Sequence, residues 1–276
     1  MCIAFRFVCE WTKTLTDTDL LFSSIRDVPY FRGLLRAVEA GFYQGADIPA
    51  PTLDIGCGDG FFAGLAFGRK IEAGVDPAGA CLREAHRQGS YRLLVQADGA
   101  RLPFPGGYFA SAFSNSVLEH IPHVQPVLDE ISRVLKPGAP FYFCVPNHQF
   151  LAGLSLGRFL DRAGLKSLAG SYRSLFNRIS RHHHCDDPGV WSKRLKAGGF
   201  VLEKWWHYFS PSALRVLEWG HYFGLPAWIV KKLTGRWILC RSYSNHALIL
   251  RALRRIYLEP VPQPDGAYTF FITRRL

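Results

Sequence analysis

The chain has 276 residues, 48% of them apolar, enough for a large buried core and long for one ordinary domain. That composition excludes a disordered or low-complexity protein, and seven scattered cysteines without a C-x-x-C pair argue against a disulfide framework or a structural zinc site. The net charge of +11 is uneven: residues 1–147 carry 13 Lys and Arg against 15 Asp and Glu, whereas residues 148–276 carry 20 against 7 and hold six of the seven tryptophans. A basic, aromatic second half suits an anionic partner (membrane surface, nucleic acid or acidic substrate), or is simply a well-solvated surface. The apolar start at residues 1–11 is short, interrupted by Arg6 and without a small-residue cleavage site. Together with the cysteine usage it predicts a reduced, cytoplasmic protein.

In chain order, apolar residues from Leu20 to Phe42 recur at helical spacing within a segment 16–43 that Asp27-Val28-Pro29 breaks in two. Residues 1–50 are read as a helical cap. Ile48-Pro49-Ala50-Pro51 leads stiffly into a short strand, Leu53 and Ile55, which meets glycines at alternate positions, Gly56, Gly58 and Gly60. Glycines so close let the backbone turn tightly and lie against a ligand. The dinucleotide fingerprint G-x-G-x-x-G/A would place its third small residue at 61, which is Phe61 here. Asp54, inside the strand, would repel a pyrophosphate but suits a ligand bearing a positive charge.

A helix over 61–69 precedes a strand over 71–75 that ends in Asp76-Pro77. A carboxylate about 20 residues past the first strand can accept both hydrogens of a ribose diol. Alternatively, Asp76 only caps the helix running through Cys81 to Arg87. A third strand over 92–96 leads to Asp98-Gly99, and a fourth over 109–113 opens into Ser114-Asn115. An amphipathic helix over 127–135 ends at Lys136-Pro137-Gly138, and residues 141–145 read as a fully buried strand. Strands alternating with helices imply a parallel sheet with its ligand above the strand C-termini.

L-D-I-G-C-G-D-G at 53–60 resembles motif I of the class I S-adenosylmethionine-dependent methyltransferases. L-D-E-I-S-R-V-L-K-P-G-A-P-F-Y-F at 128–143 resembles the segment leading into that family's fifth strand, so the likeness covers about residues 51–147. It implies an α/β fold: a Rossmann-like, doubly wound, mostly parallel sheet of the seven-stranded methyltransferase type, with S-adenosyl-L-methionine as cofactor. By the resemblance Asp54 lies near the amino group of the methionine moiety, and the loop of Gly56, Cys57, Gly58 and Gly60 passes beneath the cofactor. Asp76, with Pro77, takes the ribose hydroxyls, Asp98, with Gly99, lies beside the adenine amino group, and Asn115 joins them at the same edge. One conventional acid is missing, since Ala110 stands in its place.

Residues 148–198 read as helical and basic and include Arg181-His182-His183-His184-Cys185-Asp186-Asp187-Pro188. Three adjacent rings cannot easily converge on one ion and no spaced partner appears, so no metal site is expected. Asp187 and Pro188 instead start the helix of Trp191 and Leu195. A histidine of 182–184, or His120, is a candidate base, but neither is marked out by spacing and no catalytic residue is assigned. Strands over 200–208 and 267–273 close the sheet; the family joins them by a short turn, whereas about 55 residues intervene here. The core is therefore read as 51–210 with 266–276, and 211–265 as a helical insertion. The insertion's mixture of Trp219, Tyr222, Phe223, Trp228 and Trp237 with Lys231, Lys232 and Arg236 is that of a helix lying on an anionic membrane, unless these aromatics form its own core. The protein would then be peripherally membrane-associated. S-N-S-V follows the fourth strand where exocyclic-amine enzymes carry N/D-P-P-Y/F/W, so nucleic acid is disfavoured, and a small-molecule or lipid-like acceptor fits better. Methylation of RNA or protein and a non-catalytic scaffold are the alternatives. Oligomeric state is not legible.

Overall fold

The computed structural model describes residues 19–276, so the sequence readings at 1–18 lie outside the described residues. Two helices open it: α1 (Leu20–Ile25), capped by the Asp19 side chain, and α2 (Tyr30–Tyr43). The break between them falls where the β-favouring residue before Pro29 precludes a continuous helix. β1 (Thr52–Ile55) follows, then α3 (Phe61–Ala66), β2 (Ile71–Asp76), α4 (Gly79–Gln88), β3 (Tyr91–Gln96) and β4 (Ser111–Asn115). The sequence places the fourth strand at 109–113. It starts later because Phe109 makes only an isolated bridge to Leu135, and the amides of Phe109 and Ala110 bond the carbonyls of Val134 and Pro51.

After β4 a short 3₁₀ turn (Leu118–His120) leads to α5 (Gln125–Val134) and β5 (Pro140–Pro146), all seven of whose residues are buried. Four helices, α6 (Gln149–Gly153), α7 (Ser155–Arg162), α8 (Lys166–Ser180) and α9 (Pro188–Ala197), precede β6 (Phe200–Tyr208). Asp187 caps α9 as its sequence predicts, accepting from the amides of Gly189 and Val190. Then come α10 (Pro211–Phe223), α11 (Leu225–Thr234) and α12 (Tyr243–Tyr257), and β7 (Tyr268–Arg275) returns to the sheet.

The seven strands lie in the order β3-β2-β1-β4-β5-β7-β6, with β7 antiparallel to both neighbours and the remaining pairings parallel. The chain begins at the centre, winds outward to β3, then crosses back to β4. That reversal opens a crevice above the C-terminal ends of β1 and β4, where doubly wound sheets bind ligands. Helix α5 and α9 cover one face through Leu128, Ile131, Trp191 and Leu195. The other face is covered by α2 and α3 together with α10 and α12.

Helices α10 and α12 rest on the N-terminal helices. Gly220 of α10 lies so close to Phe31 of α2 that a Cβ there would come within 2.3 Å of the ring. Ion pairs join Arg254 to Asp19 and, at 2.7 Å, Arg241 to Asp27. The N-terminal helices and the segment between β6 and β7 therefore form one layer over the sheet. No helix among the described residues is long and apolar enough to cross a membrane.

Candidate functional site

The loop between β1 and α3 needs its glycines. Gly56, Gly58 and Gly60 all hold positive φ (+75°, +54° and +78°), a region costly for residues with a Cβ. A Cβ at Gly56 would meet the Val117 side chain at 2.4 Å, so the loop sits tightly against the segment after β4. At Gly58 a Cβ would meet nothing within 4 Å. The outer side of the loop is thus open, which is the room a ligand lying on the backbone would need.

The three predicted acids stand at the C-terminal ends of β1, β2 and β3. Asp54 is 3% exposed and accepts one hydrogen bond, from the Tyr91 hydroxyl at 2.6 Å. Burial pushes its carboxyl up to about 7, against the Tyr91 hydrogen bond, and nearby Asp76 pushes the same way. A buried carboxylate with one donor calls for a cation. Asp76 ties two loops together: one oxygen accepts from the Gly58 amide at 3.0 Å and the other from the Ala78 amide at 2.8 Å. It makes no side-chain cap on α4, whose N-cap is Ala78. Asp98 is exposed, with one oxygen on the Ala100 amide at 3.0 Å. Pro77 accepts from the Gln96 side chain, and Gly99 packs against Val127.

Asn115 is differently engaged. Its amide donates to Glu39 Oε2 at 2.7 Å and its oxygen accepts from Cys144 Sγ at 3.0 Å. It belongs to a polar cluster that sequence reasoning did not identify. Glu39, fully buried on α2, also accepts from Arg36 at 2.7 Å, Tyr208 at 2.8 Å and Ser116 at 3.2 Å. Arg36 further donates to Ser116 Oγ at 2.9 Å, and Ser116 holds a positive φ of 53°. Burial alone would pull the Arg36 guanidinium down, but the Glu39 carboxylate more than offsets this and holds it above its ordinary value. The signal for this pair was present: two charged residues in the apolar stretch L-L-R-A-V-E-A-G-F.

Beside it, the 3₁₀ turn contributes Glu119, 1% exposed, with Oε2 lacking any partner among the described residues. Burial pushes this carboxyl up to about 8. His120 Nε2 is 3.8 Å from Glu119 Oε1, and its Nδ1 lies 3.0 Å from the Arg181 carbonyl. A carbonyl only accepts, so Nδ1 carries the proton and Nε2 keeps its lone pair. The ring of His182 lies 5.2 Å from that of His120; burial, then His120, push it down to about 3, so it stays neutral. Donor atoms of Glu119, His120 and His182 all lie within 4.8 Å of one another. The histidine run does diverge: His182 joins this group, while His184 bonds the Ile121 carbonyl at 2.9 Å and faces Asp186. Thus the grouping that could hold a cation or pass a proton draws one histidine from the run and one from the turn after β4.

Helices of the covering layer complete the mouth. Arg32 of α2 stacks on Trp237 at 5.4 Å; burial, then its neighbour Arg36, depress its guanidinium, with Asp59 of the glycine loop opposing them. Lys231 of α11 pairs with Glu84 of α4 at 2.5 Å. The segment between β6 and β7 therefore reaches from α2 to α4 beside the glycine loop.

Comparison with known proteins agrees with this geometry. The family described as "Methyltransferase domain" matches residues 53–143. A malonyl-[acyl-carrier protein] O-methyltransferase of Legionella pneumophila is 33% identical over 93 residues, 32% of this chain and 33% of that protein. A trans-aconitate 2-methyltransferase of Methylobacterium nodulans is 35% identical over 106 residues, 36% of this chain and 40% of that one. The chain spans between 33% and 51% of the length of the curated relatives it matches. Among solved structures, geranyl diphosphate C-methyltransferase from Streptomyces coelicolor shares the fold, with a TM-score of 0.54 at 15% identity over 90% of this chain and 84% of that one.

Proposed function

We propose that this chain, whose residues 53–143 match the methyltransferase-domain family, is a class I S-adenosylmethionine-dependent methyltransferase that transfers a methyl group from S-adenosylmethionine to a small-molecule or lipid-like acceptor. The observation that carries the reading is the pairing of a buried, singly bonded carboxylate, Asp54, with open space above Gly58 at the switch point of the sheet. When bound, S-adenosylmethionine supplies a methyl group on a positively charged sulfur, and its transfer asks chiefly for alignment with the attacking atom.

The residues present fit that group. Asp54 has a second oxygen that takes no hydrogen bond from the described residues and would receive an ammonium, whose charge would favour the carboxylate form. Asp76 braces the loop while standing at the tip of β2, where a ribose diol would bond, and Asp98 keeps one oxygen for an adenine amine. Asn115 serves this site through Glu39 and Cys144, positioning the strand end.

On the acceptor side, Nε2 of His120 is the group best placed to take a proton from a hydroxyl or amine, with His182 beside it as a second neutral imidazole. Glu119, protonated at neutral pH, adds no competing negative charge there. Arg32, beside the glycine loop, favours an acceptor with an acidic group. The acceptors named for the two curated relatives, a malonyl thioester and trans-aconitate, are also acids.

Titration calorimetry with S-adenosylhomocysteine tests the donor site. Wild type should bind, and Gly58→Val should lose binding while keeping its fold by circular dichroism. Absence of heat with wild type would overturn the reading. His120→Gln should then lower kcat for an identified acceptor and leave the affinity for S-adenosylhomocysteine unchanged.

A further inference from the structure

The sequence places a basic, aromatic surface in residues 211–265; the geometry points to a different one, shared by α7, α8 and α10, that docks on a bilayer by holding the phosphates of anionic phospholipids in an arginine-lined cleft. Where α7 meets the start of α10, a cleft of about 100 Å³ is lined by Gly153, Ser155, Arg158, Arg162, Pro211 and Arg215. All three guanidinium-bearing residues are exposed, and none has a hydrogen bond or ion pair among the described residues. The nearby acids are committed elsewhere. Asp161 pairs with Arg173 at 2.5 Å. Glu218, fully buried, accepts from the amides of Ser155 and Leu156 and from the Tyr172 hydroxyl. Three unneutralised cations around one concavity form a site for a multiply hydrogen-bonding anion, and phosphate oxygens match the guanidinium fork.

What surrounds the cleft selects among phosphate sources. Arg215, Trp219 and Phe223 follow one another at four-residue intervals on α10, so they share a face. The Trp219 indole N–H donates to Ser155 Oγ at 3.1 Å, which seats the ring at the cleft's rim, and Phe223 stacks on it at 6.3 Å. Trp219 is 40% exposed and Phe223 68%. On α7, Phe159 stands between Arg158 and Arg162 and is 64% exposed. Tyr222 contacts Phe176 of α8, which leaves Leu168, Leu175 and Ile179 half exposed along that helix. A soluble phosphorylated ligand needs the cations but not this apolar surround. A bilayer uses both, with aromatic rings at headgroup depth and cations against lipid phosphate. RNA would stack on the rings, but the cations here sit in one cleft and do not trace a backbone-length groove.

The inference stands apart from the methyl-transfer reading, because vesicle binding is measured without turnover. The full chain would be cosedimented with phosphatidylcholine vesicles and with vesicles containing phosphatidylglycerol. The expected result is pelleting with the anionic vesicles alone, weakened by salt. Each arginine near a charged bilayer is worth about fivefold in partitioning, so the combined variant Arg158→Gln, Arg162→Gln, Arg215→Gln should lose about 100-fold. These side chains have no hydrogen-bond or ion-pair partners among the described residues, so its melting temperature should match wild type; should it misfold, salt titration of wild type supplies the same information. Phe223→Ser should weaken anionic-vesicle binding as well. Equal pelleting with neutral vesicles, no pelleting, or a triple variant that binds like wild type would overturn the proposal. So would an RNA oligomer retained where vesicles are not.

Discussion

Replacing Glu39 by alanine is the sharpest test of the polar cluster beneath the site. Glu39 is fully buried and accepts four hydrogen bonds, from Arg36, Asn115, Ser116 and Tyr208. Removing it leaves the Arg36 guanidinium, whose side chain is 20% exposed, with Ser116 Oγ as its one remaining hydrogen-bond partner among the described residues. Breaking a buried pair from one side costs about 3–5 kcal/mol, and partial access of Arg36 to water favours the lower end. For a chain of this size about 3 kcal/mol corresponds to a fall in Tm of roughly 6–12 °C. Urea unfolding followed by circular dichroism measures it, with the slope checked so that the midpoint alone carries the difference. The double variant Arg36→Met, Glu39→Leu removes both charges and should recover the part of the loss that comes from the stranded cation, while Asn115 and Tyr208 still lose an acceptor. A single variant that melts within about 1 °C of wild type, or a double variant no better than the single, would refute the account.

Glu119 gives a pH prediction. Its carboxyl is pushed by burial to about 8, so between about pH 4.5 and 8 the folded state holds a proton that the unfolded state has released. Stability then falls as pH rises through that window, and in Glu119→Gln that part of the fall should vanish; parallel curves for the two proteins would contradict it. Tyr91→Phe removes the one donor to Asp54, so its carboxyl should rise beyond about 7, and S-adenosylhomocysteine affinity should need a higher pH to reach its plateau. An unchanged pH midpoint in calorimetry would count against Asp54 as the ammonium site. Gly56→Ala combines a φ of +75° with a collision on Val117 and should destabilise by about 1–3 kcal/mol in chemical unfolding. Gly58→Ala meets no neighbour and should lose only about 1 kcal/mol.

The proposed donor half of the site was legible because its chemistry is local in sequence. Each acid lies within two residues of the end of its strand, so a strand period and one polar residue locate Asp54, Asp76 and Asp98 together. The glycine loop was readable for the same reason, since a left-handed backbone leaves its mark on residue type. The acceptor half was not. Glu39 meets Tyr208 across 169 positions, and His120 meets His182 only because the turn after β4 and the end of α8 converge. No local pattern encodes such a meeting. Asn115 shows the limit from the other side: its position at the end of β4 was evident, but its partner Glu39 lies 76 residues earlier.

The charges at the strand ends divide along the same line. Asp54, Asp76 and Asp98 all come from β1–β3 and serve the side where a cationic donor would lie. Arg32 and Arg36 come from α2, and the neutral imidazoles come from the turn after β4 and the loop after α8. Arg36 stands between the two sets. It favours the charged form of Asp54 and of Glu119, while its own charge is fixed by Glu39. The Arg36–Glu39 pair is therefore better understood as the element that sets the field at the junction of the two halves than as a stabilising contact. Exchanging it for hydrophobic residues can restore the fold while leaving Asp54 and Glu119 without that cation. Arg36→Met, Glu39→Leu should then melt above Glu39→Ala and still bind S-adenosylhomocysteine more weakly at neutral pH, with affinity recovering as pH rises. Wild-type affinity at neutral pH in that double variant would show that the pair serves stability alone.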